Sequence, residues 1–394
     1  MSEVQFVPFH RPSIGHEEMQ AVQKVLESRW LTTGPVTQEF ERQFAAFVGS
    51  KYALAVNSAT AALQLSMDCI GVGPGDEVLV PTYTFTATAA VVIHAGARPV
   101  FCDTIGDGFN ICPDDATRHI TPRTKAIVPV HIAGDVCDMD GIQTLATRHG
   151  LAVIEDAAHA LPASYNDRLV GAISELTAFS FYATKTISAG EGGMLTTDNA
   201  AYAARAARMR LHGMSADAWN RHSKEGSWSY EVQDAGFKMN MSDVLAAIGG
   251  AQLAKCQRFW ERRCAIAGKY SESFSRFDEL QVPSAKNHPS EHAWHLYILR
   301  IRPDLLSVSR NGFIEELNEL GIGTSVHFIP LHLQPYYAAT YGYRHGDFPH
   351  AEDAFSRCVS LPIFPDMTDE EVARVISTVE EVVKKHRIRV CATA

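Results

Sequence analysis

A chain of 394 residues, 46% hydrophobic and 20% charged, has enough apolar material for a large buried core spread over two or three domains. Its formal net charge of −10, without a long basic cluster, argues against nucleic acid as the main partner. No apolar run is long enough to span a membrane, and Met1-Ser-Glu-Val-Gln-Phe6 lacks the basic and apolar regions of a signal peptide. The eight cysteines (69, 102, 112, 137, 256, 264, 358 and 391) are scattered and include no C-x-x-C. They read as small buried residues in a reducing cytoplasm, not as disulfide or zinc partners.

Residues 13–29 place Ile14, Met19, Val22, Val25 and Leu26 at helical spacing, and 37–48 do the same with Phe40, Phe44 and Phe47. Trp30-Leu-Thr-Thr-Gly-Pro35 between them reads as a turn. Residues 52–56 read as a short strand, Asn57-Ser58-Ala59-Thr60 as a polar turn, and 61–70 as a helix. Unpaired N–H groups and the positive helix end at Ala59 and Thr60 suit a phosphate, while an ordinary N-cap by Ser58 explains the same residues equally well. Strands at 77–81, 98–103, 125–131 and 151–156 alternate with helices at 87–94, 113–121 and 138–150. That alternation predicts an α/β fold: a mainly parallel sheet, helices on both faces, and ligands at the carboxyl ends of the strands.

Phe179-Ser-Phe-Tyr-Ala-Thr184 reads as a strand that breaks at Lys185 and turns through Gly190-Glu-Gly-Gly193. A lone lysine there is most simply a strand surfacing into water. Apolar neighbours would instead favour the neutral amine, the form that attacks carbonyls. Residues 195–212 suit a strand and a helix. The polar, aromatic stretch 213–236, with Trp219, Trp228 and Tyr230, suits a long loop. A helix from 243 is expected to run on to about residue 275. A domain boundary is placed near 255, giving a large domain over 1–254 and a smaller one over 255–394. The smaller one is read as strand-like 294–301, helix 309–320, strand-like 323–328, loop 329–365 and helix 369–386.

A pyridoxal 5'-phosphate (PLP) enzyme needs a lysine, a carboxylate for the pyridine nitrogen, a phosphate cup and an aromatic surface against the ring. Lys185, Asp156, Ala59 and Thr60 with Ser180, and His159 or Phe85 supply these at strand ends. Singly, each has a plainer reading: Asp156 as a helix cap, His159 as a satisfied helical histidine. Jointly they point to the cofactor. The glycine fingerprints G-x-G-x-x-G and G-x-x-x-x-G-K-[ST] are missing, and no carboxylate–histidine set has metal-ligand spacing.

Ile154-Glu-Asp-Ala-Ala-His-Ala160, Ser180-x-x-x-x-Lys185 and Gly190-Glu-Gly-Gly193 resemble the DegT/DnrJ/EryC1/StrS family of sugar aminotransferases. The resemblance covers nearly the whole chain, through Asn57-Ser-Ala-Thr-Ala-Ala62, Pro129-Val-His131, Gly236-Phe-Lys-Met-Asn240, His327-Phe328 and Ser360-Leu-Pro-Ile-Phe-Pro365. Within the family the branch that aminates UDP-4-keto-pentoses for lipid A, and other C4 sugar-nucleotide aminotransferases, look most similar. The resemblance implies a PLP-dependent transferase of fold type I, with a seven-stranded sheet in the large domain and a smaller α+β C-terminal domain. It implies a cytoplasmic homodimer with shared active sites, glutamate and a nucleotide sugar as substrates, and cell-surface polysaccharide or lipid A as the product's destination.

Carried over by position, Lys185 becomes the Schiff-base lysine and proton carrier. Asp156 becomes the pyridine-nitrogen partner, with His159 and Phe85 the groups flanking the ring. Ala59, Thr60 and Ser180 become the phosphate ligands. Asn240 would reach the partner subunit's phosphate, and Lys238 and His327 the sugar nucleotide. Phe85 stands where the most similar relatives carry tryptophan, Ala90 where asparagine is common and Met239 in place of tyrosine; all three bear on which sugar is taken. Three alternatives stay open: a 3-keto substrate, a dTDP- or GDP-linked substrate, and a non-catalytic regulatory protein on the same fold. A dehydratase of this scaffold would carry histidine in place of Lys185.

Overall fold

The computed structural model describes residues 6–214, 230–284 and 290–388. In chain order the elements are α1 His16–Ser28, α2 Pro35–Val48, β1 Tyr52–Val56, α3 Ala59–Cys69, β2 Glu77–Pro81, α4 Thr86–His94, β3 Arg98–Cys102, α5 Pro113–Arg118 and β4 Thr124–Ile127. There follow α6 Met139–His149, β5 Ala152–Asp156, β6 Ser164–Tyr165, β7 Arg168–Leu169, β8 Leu176–Ser180, β9 Gly193–Thr197, α7 Ala200–Met209, α8 Asp243–Leu253 and α9 Cys256–Phe274. The remainder comprises β10 Leu280–Gln281, β11 Ser290–Glu291, β12 Tyr297–Ile301, α10 Arg310–Glu319, α11 Pro335–Tyr341, α12 Pro349–Arg357, β13 Cys358–Leu361 and α13 Asp369–His386.

Seven strands form the main sheet in the order β1-β9-β8-β5-β4-β2-β3. β3, β2, β4, β5 and β8 run parallel, while β9 is antiparallel to both β8 and β1. Successive strand side chains point to opposite faces, so each strand feeds two cores. Ala55, Leu79, Val153 and Phe179 join α2, α6 and α8 in one core. Val56, Val80, Ile154 and Ala178 join α3, α4 and α7 in the other. The helices α2 and α8 cross closely at Gly249, where an added Cβ would stand 2.7 Å from the Phe40 ring.

A third core gathers Tyr270, Tyr297, Phe313, Leu361 and Val379 from β12, β13, α9, α10 and α13. We propose the division into domains 1–254 and 255–394, which this separate core supports. Val7 crosses into the third core, because the chain near it pairs with the 321–323 segment: Val7 N–H donates to Gly321 O at 2.9 Å, and Gly323 N–H to Val7 O at 2.8 Å.

Several boundaries differ from the sequence reading, each for a local reason. The strand expected to reach Lys185 ends at Ser180, where its pairing with β9 stops at Gly193 and the chain turns back through Gly190 at φ 82°. The strand expected over 125–131 stops at Ile127, two residues before Pro129, which has no N–H to give a ladder. The single helix expected to 275 is two, broken between Leu253 and Cys256. Residues 323–328 form no strand and make one isolated bridge, Ser325 with Ser360. The supposed loop 329–365 holds α11, α12 and β13, because Pro335 and Pro349 start helices, where a missing N–H costs nothing. Of the expected loop at 213–236, residues 215–229, with Trp219 and Trp228, lie outside the described residues.

Candidate active site

The strand ends and the loops after them enclose one cavity of about 530 Å³, within the roughly 300–1,000 Å³ usual for small-molecule sites. Ala59, Thr60, Phe85, Asp156, His159, Ser180, Lys185 and His327 all line it. Residues as far apart in sequence as Ala59 and His327 therefore meet.

The amino end of α3 opens into this cavity. Ser58 is its N-cap, and its hydroxyl accepts from Ala61 N–H at 3.1 Å. The first-turn N–H groups of Ala59 and Thr60 have no partner one turn back, so they are available to an anion beside the Thr60 and Ser180 hydroxyls. The cap reading and the phosphate reading thus both hold, for different N–H groups. Strand β9 passes directly behind this turn: an added Cβ at Gly193 would lie 2.6 Å from Ala59 N, so only glycine fits.

Lys185 sits on the 181–190 loop, which is tied across its base. Ala189 N–H donates to Phe181 O at 2.9 Å, and Phe181 N–H to Gly192 O at 2.8 Å. Phe181 packs against Phe40 and Phe44 with ring centroids 5.4 and 5.5 Å apart, fixing the loop to α2. The Lys185 side chain is partly accessible, facing the cavity it lines. Burial pushes its amine down to about 8, against the opposing pull of the Asp156 charge.

Asp156 ends β5 and is 5% exposed. Its Oδ2 accepts from the Thr88 hydroxyl at 2.8 Å and its Oδ1 from Ala158 N–H at 3.2 Å. Burial raises its carboxyl above the usual range, while Thr88, Ala158 and Lys185 pull it back. Each oxygen keeps acceptor capacity for a further donor.

Imidazoles and phenyl rings make the rest of the wall. His159 Nδ1 accepts from Ala133 N–H at 3.2 Å, which leaves its proton on Nε2. Burial, and then Lys185, hold His159 well below the usual histidine range, so the ring is neutral. It lies 4.4 Å from the His295 ring and 5.8 Å from Phe328, nearly parallel to the latter. Phe85, 58% exposed, is 6.0 Å from Phe328, its ring tilted by 49°. His327 shares a hydrogen bond with Ser360 through Nδ1 at 2.9 Å and stacks on Phe9; burial pushes it down to about 4.

The sequence reading missed Phe9, His10, Thr84, His295 and Phe328, which also line the cavity. His10 Nε2 donates to Ala183 O at 3.0 Å, two residues from Lys185. The pairing of Val7 with 321–323 leads Phe9 and His10 to the site, and no local motif announces it. The His292-Ala-Trp-His295 run was the one available signal for His295.

Two predicted residues lie outside their own chain's cavity. Asn240 Nδ2 donates to Thr33 Oγ1 at 2.6 Å, and Lys238 is exposed, with its carbonyl taking the Asn57 amide at 3.4 Å.

These groups fit PLP: a depressed lysine amine, a buried carboxylate with spare lone pairs, a helix amino end closed off by glycine, and rings along one wall. On a largely parallel sheet of this topology, that set defines a PLP-dependent aminotransferase of fold type I. The profile of the DegT/DnrJ/EryC1/StrS aminotransferase family matches residues 12–380, and the chain belongs to that family. It is 50% identical over 380 residues to the spore coat polysaccharide biosynthesis protein SpsC of Bacillus subtilis, covering 96% of this chain and 97% of that one. It is 33% identical to a Streptococcus pneumoniae protein assigned as a sugar aminotransferase and solved in its PLP form. That match has a TM-score of 0.90 and covers 96% of this chain and 99% of the other. Helicobacter pylori PseC, an aminotransferase involved in the biosynthesis of pseudoaminic acid, matches at 27% identity with a TM-score of 0.87, covering 97% of this chain and 100% of that one.

Proposed function

We propose that this enzyme moves an amino group from glutamate to a keto sugar nucleotide, in the first instance a UDP-4-keto sugar, for a cell-surface polysaccharide. The convergence of Lys185, Asp156 and the amino end of α3 on one cavity carries the aminotransferase part. The sugar part is supported by the roles of SpsC and PseC. Those roles concern spore coat polysaccharide and pseudoaminic acid, so a surface polysaccharide is preferred over lipid A as the destination.

Bound PLP supplies a carbonyl carbon that condenses with amines and a ring that takes up the electron pair released at the α-carbon. The chain's own residues do the rest. Lys185 Nζ would anchor the cofactor and, as a free amine, would take the proton from the donor's α-carbon and pass it to the cofactor. It runs the same transfer in reverse on the sugar. Burial, which pushes the free amine down to about 8, favours the neutral form that can accept that proton. Asp156 would hold the pyridine nitrogen and keep it protonated. Ala59, Thr60 and Ser180 would hold the phosphate, His159 and Phe85 would flank the ring, and His327 would meet the sugar nucleotide.

A homodimer completes the site in this reading. Asn240 and Lys238, outside their own cavity, would serve the partner subunit's, and the exposed Phe85 marks the mouth a second copy would cover. The test is to offer holoenzyme and glutamate a panel of 4-keto UDP-, dTDP- and GDP-sugars with a 3-keto control. Amination of a UDP-4-keto sugar is expected; preference for the 3-keto sugar refutes the C4 assignment.

A further inference from the structure

We propose that Thr88, backed by Thr84, is a positioning residue that holds Asp156 ionised and aimed at the cofactor's ring nitrogen. This rests on the assignment of Asp156 to that nitrogen. The observation is a chain of two buried hydroxyls ending on the carboxylate. Thr84 Oγ1 lies 2.9 Å from Thr88 Oγ1, and Thr88 Oγ1 lies 2.8 Å from Asp156 Oδ2. Thr84 and Thr88 are 1% and 0% exposed.

The direction of the chain follows from counting protons. A carboxylate only accepts, and a threonine hydroxyl has one proton. Thr88 must therefore give its proton to Asp156, and Thr84 must give its own to Thr88. Thr84 lines the cavity, so the chain runs from the cavity wall back to the carboxylate. Chained hydroxyls polarise one another, which strengthens the final bond to Asp156.

The chain matters because Asp156 has little else. Among the described residues, its carboxylate's one other hydrogen bond is from Ala158 N–H, at 3.2 Å. A buried carboxylate deprived of a donor drifts toward its neutral form, and a neutral carboxyl cannot hold a protonated ring nitrogen. The geometry also separates roles. The Ala158 bond is backbone and fixed by the turn after β5, whereas the Thr88 bond crosses from α4 and sets the carboxylate plane. No sequence motif marks Thr88, the third residue of α4.

The test uses the full-length protein and reads the cofactor directly. PLP is titrated into apoprotein of wild type, Thr88→Val, Thr88→Ser and Asp156→Ala, with the bound cofactor's visible band recorded alongside affinity. Thr88→Val keeps the side-chain shape and removes the hydroxyl. It is expected to weaken PLP binding about tenfold or more, the scale of one hydrogen bond to a charged group. It should also shift the visible band toward that of Asp156→Ala, while Thr88→Ser returns both to near wild type. A Thr88→Val protein with wild-type affinity and band overturns the proposal, as does one that only melts earlier without a band shift. If Asp156→Ala itself leaves both unchanged, the assignment of Asp156 fails and the role of Thr88 falls with it.

Discussion

At Lys185 two effects oppose each other. Burial favours the neutral amine, and the Asp156 charge favours the ammonium. Burial wins, moving the group from 10.5 to about 8. The folded value is below the unfolded one, so holding Lys185 costs stability below about pH 8. That cost fades as pH rises from about 8 through 10.5. The same shift sets reactivity. The rate at which apoprotein captures PLP should rise with a midpoint near pH 8, measured by stopped-flow absorbance. A midpoint close to 10.5 would show a lysine that is not desolvated. The four cavity imidazoles behave alike: burial is the leading cause pushing His10, His159, His295 and His327 below the usual range. Near neutral pH these four imidazoles are therefore uncharged.

At the level of elements, the site depends on how β8 and its loop are held. Phe44 meets Phe179 at 5.0 Å and Phe181 at 5.5 Å, so α2 is the support beneath Lys185. That helix is in turn capped from another helix. Asp243, at the start of α8, accepts from Gly34 N–H at 2.8 Å, Val36 N–H at 3.2 Å, Thr37 N–H at 2.9 Å and the Thr37 hydroxyl at 2.6 Å. Asp243→Ala leaves buried donors without an acceptor and is expected to lower stability by about 2–4 kcal/mol, read by urea unfolding. A loss under about 0.5 kcal/mol, the usual size of a surface substitution, would contradict that role.

The sheet strands and most helices were legible because their apolar periodicity is local. The ends were less so. The stretch 329–365 reads as loop although Pro335 and Pro349 start helices in it, and the strand read as far as Lys185 ends at Ser180 because the aromatic run conceals where pairing with β9 stops. The helix expected over 13–29 is α1, but its apolar spacing does not mark a buried face: of Ile14, Met19, Val22, Val25 and Leu26, Val25 alone is buried, while Ile14, Met19 and Leu26 are exposed.

Across the whole molecule, the residues of the cavity divide by how far they travelled. Ala59, Asp156 and Lys185 could be placed from sequence because each follows a strand of one sheet, and strand ends converge by topology. His10 and His295 could not, since the non-local packing that carries them leaves no periodic trace. The exposed Met19 and Leu26 face of α1, together with Phe85, gives a second copy apolar surface to cover. Sedimentation should accordingly give twice 43.2 kDa, and a monomer at micromolar concentration would remove the shared-site reading.

The central claim is that Lys185 carries an amino group from glutamate to a keto sugar nucleotide. Its most direct test is to incubate holoenzyme with ¹⁵N-glutamate and a UDP-4-keto sugar and to follow the label. The account predicts ¹⁵N on C4 of the sugar with 2-oxoglutarate formed in equal amount, and neither product with Lys185→Ala. Label transfer that survives Lys185→Ala would contradict it, as would a wild-type protein that binds PLP but moves no label to any keto sugar nucleotide.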